Sequence, residues 1–387
     1  MVQKKRDMGI VGLALAVAVT FLIAFAANGC GVQGVKNEVK KEQTAATLDE
    51  KVEGIVVNMT PAEKVGQMMM IGIQGDTVTD DSLYMLHQYH IGGVILFDRN
   101  LVSAEQTKKL NEDLQVQAEE KVPLFIGIDE EGGDVVRGRS FIQPPSSQRQ
   151  IGAAGDLTAA EGAANRTAKE LRELGFNVNF APVADVGTSS RSFSTDPETV
   201  KKFVLASVQG YEKNRMIYAM KHFPGIGRST VDSHKDVSEI TASRERLAAS
   251  DIVPFKAVID AAQPEDYFIL VSHLKYPAYD ADNPASLSKA VQTDLLRGEL
   301  GYRGIIVTDD MEMGAVAKYA SFRDVGVRAV QAGADIVLVC HEYAHETDVY
   351  LGLLDAVESG EIPMERIDES VRRIVKAKLL HKKNGEL

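Results

Sequence analysis

The stretch MIYAMKHFPGIGRSTVDSH, Met216 to His234, joins a short apolar run to a polar loop. Met216 to Met220 is too short for a helix and reads as a strand buried on both faces. The cationic pair Lys221 and His222 follows, then the turn-forming run Pro224-Gly225-Ile226-Gly227, then Asp232-Ser233-His234. A buried strand that empties into a loop with Lys, two His and an Asp is the pattern of an active-site rim. The plain alternative is a polar surface loop whose glycines only turn the chain.

The same pattern repeats on both sides of this stretch. Short apolar runs occupy Met69–Ile73, Gly93–Phe97, Leu124–Asp129, Asn177–Pro182, Ile217–Phe223, Tyr267–His273, Gly304–Asp309 and Asp335–Cys340. Between and after them lie helical patterns: Ser103–Glu119, Ala159–Leu174, Pro197–Asn214, Leu247–Ala262, Lys289–Leu300, Phe322–Ala332, Glu346–Ser359 and Pro363–Leu380. Thr60-Pro61-Ala62-Glu63 marks a helix start, with Thr as cap and Glu three residues on. Eight strands alternating with helices predict an α/β fold, a single (β/α)8 TIM-type barrel. An open doubly wound sheet is the other arrangement. The Met68-Met69-Met70 cluster reads as core filling.

In a barrel, ligands meet the C-terminal ends of the strands. Asp129 ends the third run, Asp185 and Arg191 follow the fourth, and Lys221 and His222 end the fifth. His273 ends the sixth and Asp309 the seventh. These polar groups are expected to converge on one mouth. Asp309 and Asp310 are adjacent, so strand alternation would let only one face it.

The 387 residues are 44% hydrophobic and 25% charged, an ordinary globular composition. The net charge of -12, with no basic run, argues against nucleic-acid binding. Cys30 and Cys340 cannot make a disulfide framework. Trp is absent, which favours a small pocket over a broad polysaccharide platform.

Lys4, Lys5 and Arg6 precede an apolar run from Met8 to Ala27, and Asn28-Gly29-Cys30 follows. This is the tripartite form of a secretory signal. The ending resembles a bacterial lipobox, with Cys30 as the lipidated residue. An uncleaved membrane anchor is the alternative. Either places the rest of the chain outside the cytoplasmic membrane. Residues 1–29 are thus expected to be a signal peptide of lipoprotein type. Residues 30–59 carry the lipidated Cys, a polar tether and a lead segment, helical beyond Leu48 in one reading. Residues 60–387 form the barrel.

Lys221 to His234 resembles the K-H-F-P-G-H-G-x-x-x-x-D-S-H signature of NagZ-type β-N-acetylglucosaminidases, in glycoside hydrolase family three. Ile226 replaces a His of that pattern. Asp129-Glu130-Glu131-Gly132-Gly133, with Val135 and Arg137, resembles the D-x-E-G-G-x-V-x-R element, with Asp134 in place of an Arg. Arg191-Ser192-Phe193 with Asp196-Pro197 resembles R-S-F-x-x-D-P. The resemblance covers about Thr60 to Leu380 and implies a retaining β-N-acetylglucosaminidase acting on muropeptide or chitin-like fragments. It implies Asp309 as nucleophile and His234 as acid/base, oriented by Asp232. Asp129, Arg137, Arg191, Lys221 and His222 would hold the sugar.

The chemistry is sound: a carboxylate can form a glycosyl ester, and a His can give and take a proton near neutrality. No cofactor is implied. Partners would be an N-acetylglucosamine-containing saccharide and, through Cys30, a membrane. Two other readings stand beside this one. A metal-dependent barrel hydrolase would use His222, His234, His273 and Asp309 as ligands. A non-catalytic sugar-binding lipoprotein would account for Ile226 and Asp134.

Overall fold

The computed structural model describes residues 46–118, 122–229, 238–316 and 318–382. The expectations placed on Cys30, the signal segment, Asp232 and His234 lie outside these residues. The residues from Ala46 onward belong to one compact unit.

Eight parallel strands form the barrel wall: β1 (Met69–Gly72), β2 (Gly93–Leu96), β3 (Phe125–Ile128), β4 (Val178–Asn179), β5 (Ile217–Phe223), β6 (Tyr267–Val271), β7 (Ile305–Thr308) and β8 (Val337–Val339). Each falls within its predicted run. Every strand residue is buried, which is why the runs are continuously apolar rather than alternating. Register runs stepwise round the wall, for example Met70 against Gly93, Gly127 against Val178, and Ile305 against Phe268. β1 pairs with β8 through Met69 and Val337. The last seam, β7 to β8, is closed by the parallel bridge between Val307 and Ile336. The open doubly wound alternative is thereby set aside.

The lead segment is helical over Leu48–Val56 and buries Val52 and Val56. The expected start at Thr60 is a full capping box: the Thr60 N–H donates to Glu63 and the Glu63 N–H to the Thr60 hydroxyl. Met68, Met69 and Met70 are core residues. One expected helix is broken. Leu247–Ala262 divides into Arg244–Ala248 and Val253–Ala261. Pro254 causes this, because a proline inside a helix removes a donor and clashes with the preceding turn. The break lets buried Asp251 accept two bonds from Arg228 Nε, in the loop after β5.

Candidate active site

A cavity of about 610 Å³ opens at the C-terminal ends of the strands. A second, of about 420 Å³, lies at the opposite end between Leu124, Phe125, Ile217 and Lys378. Barrel chemistry belongs to the first face.

β3 continues into a hairpin, Glu130–Gly132 against Val135–Val136. Gly132 and Gly133 turn it at φ +100° and +61°, where a side chain would be strained. The hairpin presents Asp129, Glu131 and Arg137 to the cavity. Asp129 and Glu131 are two residues apart and so share a face. Both accept from Lys221 Nζ, at 2.6 Å each. Arg191 grips Glu131 with two bonds of 2.8 Å. Burial alone would raise the Glu131 pKa, but Lys221 and Arg191 hold it at about 2. The same carboxylates raise Lys221 against its own burial. Arg137 Nη1 lies 3.0 Å from Asp98 and its Nη2 3.8 Å from Asp129.

Lys221 and His222 both line the cavity although they are consecutive in β5. The register of β5 against β6 shifts between Met220 and Phe223, and such a bulge re-aims side chains. His222 Nδ1 lies 2.8 Å from Asp185, and its Nε2 lies 3.2 Å from Arg191 Nη2. Arginine only donates, so Nε2 accepts and the ring proton sits on Nδ1. Asp185 also accepts the backbone N–H groups of His222 and Ile226. It stands behind His222 rather than in the cavity.

Asp309 lines the cavity from the end of β7. Its Oδ1 accepts the Asp310 N–H at 2.9 Å. The expectation that only one of this pair could face the mouth is corrected: both line the cavity. β7 ends at Thr308, so strand alternation no longer governs either residue. His273 does not converge on the mouth. It is buried behind it, with Nδ1 on Ser286 and Nε2 on the Asp310 carbonyl. Burial lowers its pKa, despite the nearby Asp309 and Asp310.

Asp129, Arg137, Arg191, Lys221, His222 and Asp309 thus meet in one cavity. Asp134 turns aside, accepts from Ser190 at 2.6 Å and does not line the cavity. Ile226 also lines the cavity. Arg191 does not pair with Asp196, which instead caps Pro197–Glu212 by accepting the Thr199 N–H.

Sequence reasoning missed Glu131, Arg99, Glu312 and His341, and admitted only one of Asp309 and Asp310. Glu131 was open to discovery through its two-residue spacing from Asp129. Glu312 had no local signal: it accepts the N–H groups of Cys340, His341 and Glu342 and so ties the β7 loop to the β8 loop. His341 Nε2 lies 3.3 Å from Asp310, which raises the His341 pKa. Among the described residues, no three His, Cys, Asp or Glu side chains form a metal-binding group. Both ring nitrogens of His222 and of His273 are already committed to protein partners.

Residues 60–377 match the Glycosyl hydrolase family 3 N terminal domain. The chain is 33% identical to β-hexosaminidase A of Pseudoalteromonas piscicida, over 83% of this chain and 61% of that protein. It is 32% identical to β-hexosaminidase LpqI of Mycobacterium tuberculosis, over 84% of each. Among solved structures it is similar to a glycoside hydrolase family 3 β-N-acetylglucosaminidase from Paenibacillus sp. str. FPU-7. That match has a TM-score of 0.80 and 39% identity, over 83% of this chain and 62% of the other. The chain therefore spans less than two thirds of the Pseudoalteromonas and Paenibacillus proteins. On the family match, the relatives and the barrel together, this chain belongs to glycosyl hydrolase family 3.

Proposed function

We propose that this chain is a retaining β-N-acetylglucosaminidase that removes terminal β-linked N-acetylglucosamine from muropeptide-like or chitin-derived fragments. The observation that carries this reading is the placing of Asp309 and the Lys221–Asp129–Glu131–Arg191–His222 network in one cavity. The buried charged donors and acceptors of that network suit the hydroxyls of one terminal sugar. The names of the relatives, β-hexosaminidase and β-N-acetylglucosaminidase, support the choice of sugar.

In this reading Asp309 attacks the anomeric carbon and forms a glycosyl ester as the leaving oxygen departs. His234, oriented by Asp232, gives that oxygen its proton. It then takes a proton from the water that breaks the ester. Both residues lie outside the described structure, and their roles rest on the sequence resemblance. The test compares aryl β-GlcNAc with aryl β-glucoside. Selective turnover of the GlcNAc substrate is expected; equal turnover of both would overturn the sugar assignment.

The n-region, apolar run and Cys30 support a lipid-anchored protein acting outside the cytoplasmic membrane. Cys30→Ser should release the protein or leave the precursor uncleaved. Normal processing with unchanged membrane retention would count against lipidation.

A further inference from the structure

Glu130 lies between two substrate-facing residues but points away from the cavity and is fully buried. Its Oε2 accepts the backbone N–H of Arg137 at 2.9 Å and of Gly138 at 3.0 Å. One side chain thus ties the start of the hairpin to its end. That tie fixes the spacing between Asp129 and Glu131 on one arm and Arg137 on the other. Asn179 of β4 holds the Glu130 backbone from below, accepting its N–H and donating to its carbonyl. The second carboxyl oxygen, Oε1, is buried with no hydrogen-bond partner.

We propose that Glu130 is a positioning residue that acts in its uncharged form, latching the substrate hairpin, and that its ionisation loosens the hairpin's hold on the sugar. This rests on the sugar-binding reading of the cavity.

The neutral acid keeps an oxygen for the two N–H groups without leaving a buried charge on Oε1. An unpaired buried charge is costly, and moving the hairpin toward water is the way to relieve it. Charge balance points the same way. Around the hairpin, Lys221, Arg191 and Arg137 meet Asp129, Glu131 and Asp98, three of each sign. An ionised Glu130 would add a negative charge beneath them, with exposed Arg139 the one further cation acting on it. Besides Arg137, the charged or titratable groups facing it are exposed Arg139 and, from helix Pro197–Glu212, Tyr211. Burial pushes its pKa up to about 7, against the opposing effect of the Gly138 and Arg137 N–H groups and the two arginines.

The test uses the full chain and the variants Glu130→Gln and Glu130→Ala. Hydrogen exchange at the Arg137 and Gly138 amides is measured across pH 5–9 and corrected for intrinsic rates. KM and kcat/KM for aryl β-GlcNAc are followed over the same range. In the wild type, amide protection and kcat/KM should fall together as pH rises through about 7. Glu130→Ala should expose both amides and raise KM roughly tenfold or more at every pH. Glu130→Gln should rescue both and move the alkaline fall of kcat/KM to higher pH. An unchanged alkaline limb in Glu130→Gln, or intact amide protection and KM in Glu130→Ala, overturns the latch. If the wild type does not turn over aryl β-GlcNAc, the activity reading fails, and the exchange data alone decide the latch.

Discussion

The Asp310 N–H donates to Oδ1 of Asp309 at 2.9 Å. This bond fixes one carboxylate oxygen and aims the other. The donor is backbone, so Asp310 can change its side chain without losing it. On the proposed mechanism, Asp309→Ala should lower kcat/KM by about 10³-fold or more on every substrate, because no glycosyl ester could form. Asp310→Asn should cost far less. Steady-state kinetics on both variants checks this; comparable losses would show that the nucleophile is misassigned.

Asp185 stands behind the cavity and reaches it through the His222 imidazole and the Ile226 N–H. Asp185→Asn keeps the shape but removes the carboxylate that holds the proton on Nδ1. The imidazole then loses its fixed orientation toward Arg191. A fall in kcat/KM of about 10–100-fold is expected, the range for disrupting a buried polar pair. Activity within twofold of wild type would show that His222 needs no such support.

His234→Ala should distinguish leaving groups. An alkoxide needs the proton and a nitrophenolate hardly does, so kcat/KM should fall more for a disaccharide than for an activated aryl glycoside. General acid catalysis bounds the difference at about 10²–10⁴-fold. Azide should speed the mutant and yield a β-glycosyl azide. Equal losses on both substrates without azide rescue would move the acid/base role to another group.

Glu346, on helix Tyr343–Glu358, is buried, and the Gly72 N–H is the one backbone donor acting on its carboxyl. Burial, with the charge of Glu312 beside it, raises its pKa from 4.5 to about 9. The native state therefore keeps a proton that the unfolded chain releases. Stability contributed by the neutral acid is full below pH 4.5 and is lost as pH rises from there toward 9. Glu346→Gln stays neutral, so its Tm should match wild type near pH 4.5 and exceed it by about 2–6 °C at pH 8. The same Tm difference at both pH values would contradict this origin.

Much of this protein was decided locally. Eight apolar runs and the helices between them were legible because strands buried on both faces must be continuously apolar, and because caps such as Thr60–Glu63 act within three residues. Asp129, Lys221, His222 and Asp309 were legible because each sits where an apolar run stops. Tertiary structure alone decided what those groups do to one another. Lys221 meets Asp129 across 92 residues of chain, and Glu312 meets Cys340 across 28. The β5 bulge turns Lys221 and His222 to one side, and the end of β7 at Thr308 frees both Asp309 and Asp310 to face the cavity. Side-chain alternation is a property of extended backbone. Where the strand bulges or stops, loop packing against neighbouring strands sets the direction of each side chain, and no local pattern records it.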